Sequence, residues 1–175
     1  MTLIVNYFGA AGVGKSTTAA NIFSRLKRLN YNVEYVQEFA KSLTWENNHT
    51  ALSHQLYVTG TQSYMQNKLL GKVDAVITDS PILLGLMYYN EPNTKIYDAF
   101  YTLLMESFKV QNNINFFINR TKPYNPKGRN QTIEESLVID DKILKLLAAE
   151  KIPYTMINGD DYGVDVSQKQ ILEKL

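Results

Sequence analysis

The run Gly9-Ala10-Ala11-Gly12-Val13-Gly14-Lys15-Ser16-Thr17 gathers glycines, a lysine and hydroxyl side chains into one short stretch behind an apolar segment. Glycine lets the backbone fold tightly enough that successive amide hydrogens converge on phosphate oxygens, and the positive end of a following helix adds to the attraction. In the spacing Gly-x-x-x-x-Gly-Lys-Ser, Lys15 reaches the β and γ phosphates and Ser16 offers its hydroxyl to Mg²⁺. Thr17 is placed to donate to the α phosphate. The cofactors this pattern calls for are ATP, or a related nucleotide, and Mg²⁺. A purely structural glycine turn would not require this lysine and hydroxyl between a strand and a helix.

Two carboxylates and a basic stretch extend that chemistry. Asp79 follows the apolar Ala75-Val76-Ile77-Thr78, and Pro81 ends the segment because it has no amide hydrogen for a ladder. At the carboxyl edge of an open α/β sheet, beside the first loop, a carboxylate can hold Mg²⁺ directly or through water. Asp79-Ser80-Pro81 is equally a good turn sequence. Glu38 closes the second strand-like segment at the same edge, where it can take a proton from a substrate hydroxyl or stand as a solvated charge. Residues 120–131 combine Arg120 and Arg129 with prolines and a glycine, and read as a lid whose arginines clamp a transferring phosphoryl group. The plain alternative is a solvated basic loop.

These groups need a scaffold that brings strand ends together. Strands are predicted over Leu3–Phe8, Val33–Gln37, Asp74–Thr78, Ile114–Asn119 and Tyr154–Ile157. The first helix runs from about Gly14 to Leu29, with Ala19, Ile22, Phe23 and Leu26 at helical spacing. One long helix is expected from about Ala51 to Leu70, with a weak point at Gly60. Helical pattern resumes over Ile82–Tyr89 and Thr94–Val110, and Thr132 with Glu135 forms a capping box that starts a helix to about Glu150. Asn158–Gly163 reads as a loop and Val166–Leu175 as a closing helix. Five strands alternating with helices imply an α/β fold, a three-layer parallel sheet covered on both faces. The 175 residues fit one domain.

Composition narrows the function classes. The absence of cysteine removes disulfides, thiolate metal sites and cysteine nucleophiles, which suits a reducing, cytoplasmic setting. No apolar stretch approaches the roughly 18 residues at which a membrane span becomes plausible, so no membrane partner is expected. A net charge of +1 carries no bulk basic signal for coating nucleic acid.

The loop Gly9–Ser16, the strand-two glutamate in Val36-Gln37-Glu38-Phe39, Asp79-Ser80-Pro81 and the arginine-rich lid together resemble the P-loop nucleoside and nucleotide kinases. Within that family the chain is most similar to the small ribosylnicotinamide-kinase-like ATPases often found in phages. The resemblance implies a doubly wound sheet of order 2-3-1-4-5 and a location in the host cytoplasm if the protein is phage-encoded. It implies Mg²⁺-dependent transfer of the ATP γ phosphate to a hydroxyl of a small nucleoside-like or nucleotide acceptor, with Glu38 or Asp79 as the base. It also places the loop Asn158–Tyr162 near adenine and gives acceptor contacts to the long helix. There Gln62 would hydrogen-bond a base, and Tyr57 or Tyr64 would stack on it. Nucleoside kinases commonly carry an arginine directly after the strand-three acid, where this chain has Ser80.

Other readings share parts of the pattern. Partition-type ATPases carry an extra lysine early in the loop, at the position of Ala10 here, and GTPases need a guanine-reading Asn-Lys-x-Asp that does not occur. A kinase acting on a hydroxymethylated base within phage DNA would use the same chemistry after extruding its target from the stack. A non-kinase module that hydrolyses nucleoside triphosphate is the remaining alternative.

Overall fold

In the computed structural model, which describes residues 1–89, 91, 93–121, 123–125 and 131–175, β1 (Leu3–Phe8) is buried at every position. Such burial is what a parallel strand covered on both faces requires, and it explains the apolar character of this segment at every position but Asn6. The other strands are β2 (Val33–Val36), β3 (Ala75–Thr78), β4 (Asn112–Asn119) and β5 (Thr155–Asn158). All neighbours pair in parallel, in the order β2-β3-β1-β4-β5, as the resemblance implied. The helices are α1 (Lys15–Arg28), α2 (Phe39–Trp45), α3 (His49–Ser53), α4 (Gln55–Asn67), α5 (Lys95–Lys109), α6 (Ile133–Ala149) and α7 (Asp161–Leu172). A 3₁₀ turn covers Ile82–Met87.

Side chains alternate across the sheet and divide the core in two. Leu3, Val5 and Tyr7 pack with Ile22 and Leu26 of α1 and Ile171 of α7 on one face. Phe8 and Phe117 pack on the other with Phe108 of α5, Ile143 of α6 and Leu83 of the 3₁₀ turn. Asn6 is the polar exception at the centre. Its Nδ2 donates to Asn113 Oδ1 at 2.8 Å and Asn115 Oδ1 at 3.0 Å, satisfying the buried amide and pinning β1 to β4.

The segment between β2 and β3 departs from expectation. In place of one helix over 51–70 there are α3 and α4, separated at His54, while Gly60 lies inside α4 without a break. The break is chemical: His54 Nδ1 accepts the Tyr57 N–H at 3.2 Å, and Asn48 Oδ1 caps α3 through Ala51 N–H. The short α2 occupies residues to which the sequence assigned no element. The loop expected over 158–163 is also shortened. Asp160 Oδ1 accepts the Gly163 N–H at 2.8 Å, so α7 starts at Asp161 and not at Val166. The capping box is present, with reciprocal bonds between Thr132 and Glu135 of 2.8 and 3.2 Å.

Candidate active site

All five strands run the same way, so their carboxyl ends deliver Gly9, Glu38, Asp79, Arg120 and Gly159 to one edge of the sheet. The loop between β1 and α1 is a backbone device. Gly9, Gly12 and Gly14 have φ of 136°, 86° and 107°, a region that side-chain-bearing residues rarely adopt. A Cβ on Gly9 would stand 2.7 Å from Val13 Cγ2. Ala11 and Gly12, with Gly14 to Thr17, line the adjoining cleft, while Ala10 and Val13 are buried beneath it. No side chain caps α1 and no acidic residue occupies its first turn, which leaves the positive end of the helix to an anion. The Lys15 ammonium folds over the loop and donates to the Ala10 carbonyl at 2.9 Å. Burial holds its pKa below the usual lysine range; Glu38, Asp79 and Asp140 oppose that shift, and Arg120 adds to it. The β5–α7 connection lies against the same loop, since a Cβ on Gly159 would meet the Val13 carbonyl at 2.6 Å.

Asp79 is buried, and its two oxygens differ. Oδ2 accepts from the Tyr35 hydroxyl at 2.8 Å, whereas Oδ1 has no hydrogen-bond partner among the described residues. The same phenol interacts with the Ser16 hydroxyl. Burial first, then the Asp79 charge and hydrogen bond, pushes the Tyr35 pKa upward and keeps the phenol a donor. An unpaired buried carboxylate oxygen is costly, and Mg²⁺ is a hard cation that favours oxygen ligands. The Ser16 and Asp79 oxygens therefore fit the cation that the motif implies. No cluster of three or more His, Cys, Asp or Glu side chains suited to a metal occurs among the described residues.

Glu38 immediately precedes α2 and lines the cleft opposite Lys15. Burial raises its pKa, Lys15 lowers it, Asp79 raises it and Lys41 lowers it, with burial the largest cause. Its place is set from α4. Gln62 Oε1 accepts the Phe39 N–H at 2.9 Å, and Gln66, one turn later, donates to the Ser80 carbonyl at 3.3 Å. Gln62, expected to read an acceptor base, is 3% exposed; its Oε1 braces the backbone, and its buried Nε2 has no hydrogen-bond partner among the described residues.

Arg120 leaves β4 beside the phosphate loop. Its Nη2 donates to Asp140 Oδ2 at 2.9 Å, and the other Asp140 oxygen accepts the Ala10 N–H at 2.6 Å. The guanidinium lies 5.8 Å from the Tyr124 ring centroid, and Nη1 comes within 3.2 Å of where a Cβ on Gly12 would sit. Arg129 falls outside the described residues. Asp140 was missed in the sequence because it sits in mid-helix next to Asp141, and a pair of acids there reads as a solvated face. Only Asp141 behaves so, pairing with Lys145 at 2.7 Å.

A cavity of about 530 Å³ opens onto the phosphate loop, Lys15 and Glu38, within the range of small-molecule sites. Its far wall comes from Lys41, Thr44 and Trp45 of α2, Leu52 of α3 and Val58 of α4, and Tyr88 closes the side behind β3. The stacking residues expected from the long helix lie elsewhere. Tyr64 is 67% exposed beneath Lys68, and Tyr57 packs edge-on against Phe39. The aromatic on the far wall is Trp45, the only tryptophan in the chain. Its signal in the sequence was that rarity, in a segment without assigned structure.

No helix among the described residues is long and apolar enough to cross a membrane. No curated protein matches the sequence. Among solved structures, thymidylate kinase from Ehrlichia chaffeensis is similar in fold, with a TM-score of 0.66 at 17% identity over 98% of each chain. A family model described as an AAA domain matches residues 4–163, which takes in the glycine loop, both strand-end acids, Arg120 and Asp140. With its phosphate loop between a buried strand and a helix, the chain belongs to this AAA domain family.

Proposed function

We propose that the protein is a kinase that transfers the γ phosphate of ATP to a hydroxyl of a nucleoside-like or nucleotide acceptor. The observation that carries this reading is the cavity. It is lined by both Lys15 and Glu38 and continues to Trp45, so a space large enough for an organic acceptor opens directly onto the phosphate loop. Attack by water alone would not call for that volume. The thymidylate kinase fold supports the same reaction class, and the ribosylnicotinamide-kinase-like resemblance favours a nucleoside.

In the proposed reaction, Lys15 offsets charge on the β and γ phosphates. Glu38 takes the proton of the acceptor hydroxyl as its oxygen bonds to the γ phosphorus, while the bond from that phosphorus to the β-bridging oxygen breaks and ADP departs. Ser16 and Asp79 would hold Mg²⁺, which supplies charge neutralisation on the phosphates. Arg120 and Arg129 complete the clamp.

The test is a screen of γ-labelled ATP against nucleosides, nucleoside monophosphates, ribosylnicotinamide and DNA containing hydroxymethylated bases. Label should move to a nucleoside or nucleotide. Label released only as free phosphate, unaffected by every acceptor, would replace the kinase with a nucleoside triphosphate hydrolase. Transfer confined to DNA would move the acceptor class to nucleic acid.

A further inference from the structure

Arg120 is held in an unusual way. Its salt bridge to Asp140 leaves both side chains only 14% exposed, and the bridge engages a single guanidinium nitrogen. Nε and Nη1 are buried and have no hydrogen-bond partner among the described residues. Leaving charged donors unmatched inside a protein is expensive, so a protein that keeps them dry must gain when an anion arrives. Nη1 borders Gly12, on the surface from which the loop amides would grip phosphate.

Asp140 does more than neutralise Arg120. Its Oδ1 receives the Ala10 amide at 2.6 Å while its Oδ2 receives Arg120 Nη2 at 2.9 Å. One carboxylate therefore ties the first turn of the phosphate loop to the arginine leaving β4, from a rigid position two turns into α6. Lys15 and Arg120 repel one another across the cradle, and Asp140 is a negative charge acting on both. Asparagine at this position would keep the shape and an oxygen for Ala10 but would remove the charge that fixes the guanidinium.

We propose that Asp140 is a positioning residue that aims Arg120, presenting its unpaired Nη1 to the terminal phosphate of the bound nucleotide. The inference rests on the reading of Arg120 as a phosphate clamp. It accounts for a half-buried acid that the reaction itself does not use. Substrate never needs to touch Asp140; its effect passes through the arginine.

The expected signature is a change in preference between ATP and ADP, because a group aimed at the terminal phosphate distinguishes the two. Calorimetric titration with ATP·Mg²⁺ and ADP·Mg²⁺ would compare the wild type, Arg120→Ala, Asp140→Asn and the double variant. Arg120→Ala should cut the preference for ATP by roughly tenfold or more, the loss of a charge-assisted contact. Asp140→Asn should remove most of the same preference, and the double variant should be no worse than Arg120→Ala alone. If Asp140→Asn weakens ATP and ADP equally, or adds fully to Arg120→Ala, Asp140 merely braces the loop and the inference is overturned. If Arg120→Ala leaves the preference intact, the clamp reading of Arg120 itself fails. Should Asp140→Asn not fold, Asp140→Glu decides: it keeps the charge but displaces the fork, so the preference must fall, and an unchanged preference overturns the proposal.

Discussion

On the phosphate-loop side of the cleft the geometry is held largely by backbone; on the side proposed for the acceptor it is held by side chains. Gly9 to Ser16 hang between a wholly buried strand and a helix whose Ala19, Ile22 and Leu26 are buried in the core, and their shape follows from torsions open to glycine. The wall facing them is built from α2 and α3, short helices in which Leu43 is the one buried residue. Helices this short have little stability of their own and depend on what they pack against. Phosphate is common to every nucleotide donor and can be met by a fixed cradle, whereas an acceptor must be distinguished from its relatives and is met by exchangeable side chains.

Removing the lysine should produce the largest effect. Lys15→Ala is expected to lower phosphoryl transfer by about 10³-fold or more, since charge neutralisation in the transition state is the main work of such a site. A rate within a few-fold of wild type in a single-turnover assay would show that the cradle is not the donor site.

Glu38→Gln comes next, with transfer to the acceptor reduced by about 10²-fold and ATP binding nearly preserved. Equal losses in both would make Glu38 structural. Burial sets its pKa above the ordinary carboxylate range, so the wild-type rate should rise with pH through that displaced value, and the variant should lose this limb. The same shift has a stability consequence. A carboxyl whose folded-state pKa is raised destabilises the fold in its ionised form, and stability falls as pH rises from the unfolded value of about 4.3 through the folded one. Glu38→Gln should therefore melt higher than wild type at neutral pH, with the gap closing in acid. A gap that widens in acid would mean that the ionised form is the stabilised one.

The smallest expected effect sharpens the contrast between the walls. Trp45→Ala should raise KM for the acceptor about tenfold with kcat and ATP binding little changed, because an aromatic platform binds ground and transition states alike. A fall in kcat with unchanged KM would place Trp45 in the donor half's business.

The two sides also differ in how far the sequence reveals them. The donor half is legible because its chemistry is local: glycine, lysine and hydroxyl stand at fixed spacing along one stretch of chain. Strand order followed from the family resemblance, and the strand segments from apolar runs such as Phe116 to Ile118. The rest is assembled across the fold, on both sides of the cleft. Asp140 lies 130 positions from the amide it receives, and its neighbour Asp141, about 100° further around the same helix, pairs with Lys145 in solvent. Apolar spacing from 51 to 70 ran through His54, whose backbone ends one helix and whose imidazole caps the next. Gln62 and Tyr64 are two residues apart on α4, about 200° around the axis, which separates a buried brace from an exposed ring.

The paired amides of α4 have a consequence for how such proteins can diversify. Gln62 and Gln66 suspend the starts of α2 and of the Ser80 turn from one helix, so the two acidic strand ends keep their spacing whatever lies between 41 and 53. Neither brace involves that intervening stretch, so a change in its length or side chains would reshape the cavity wall while both braces stay in place.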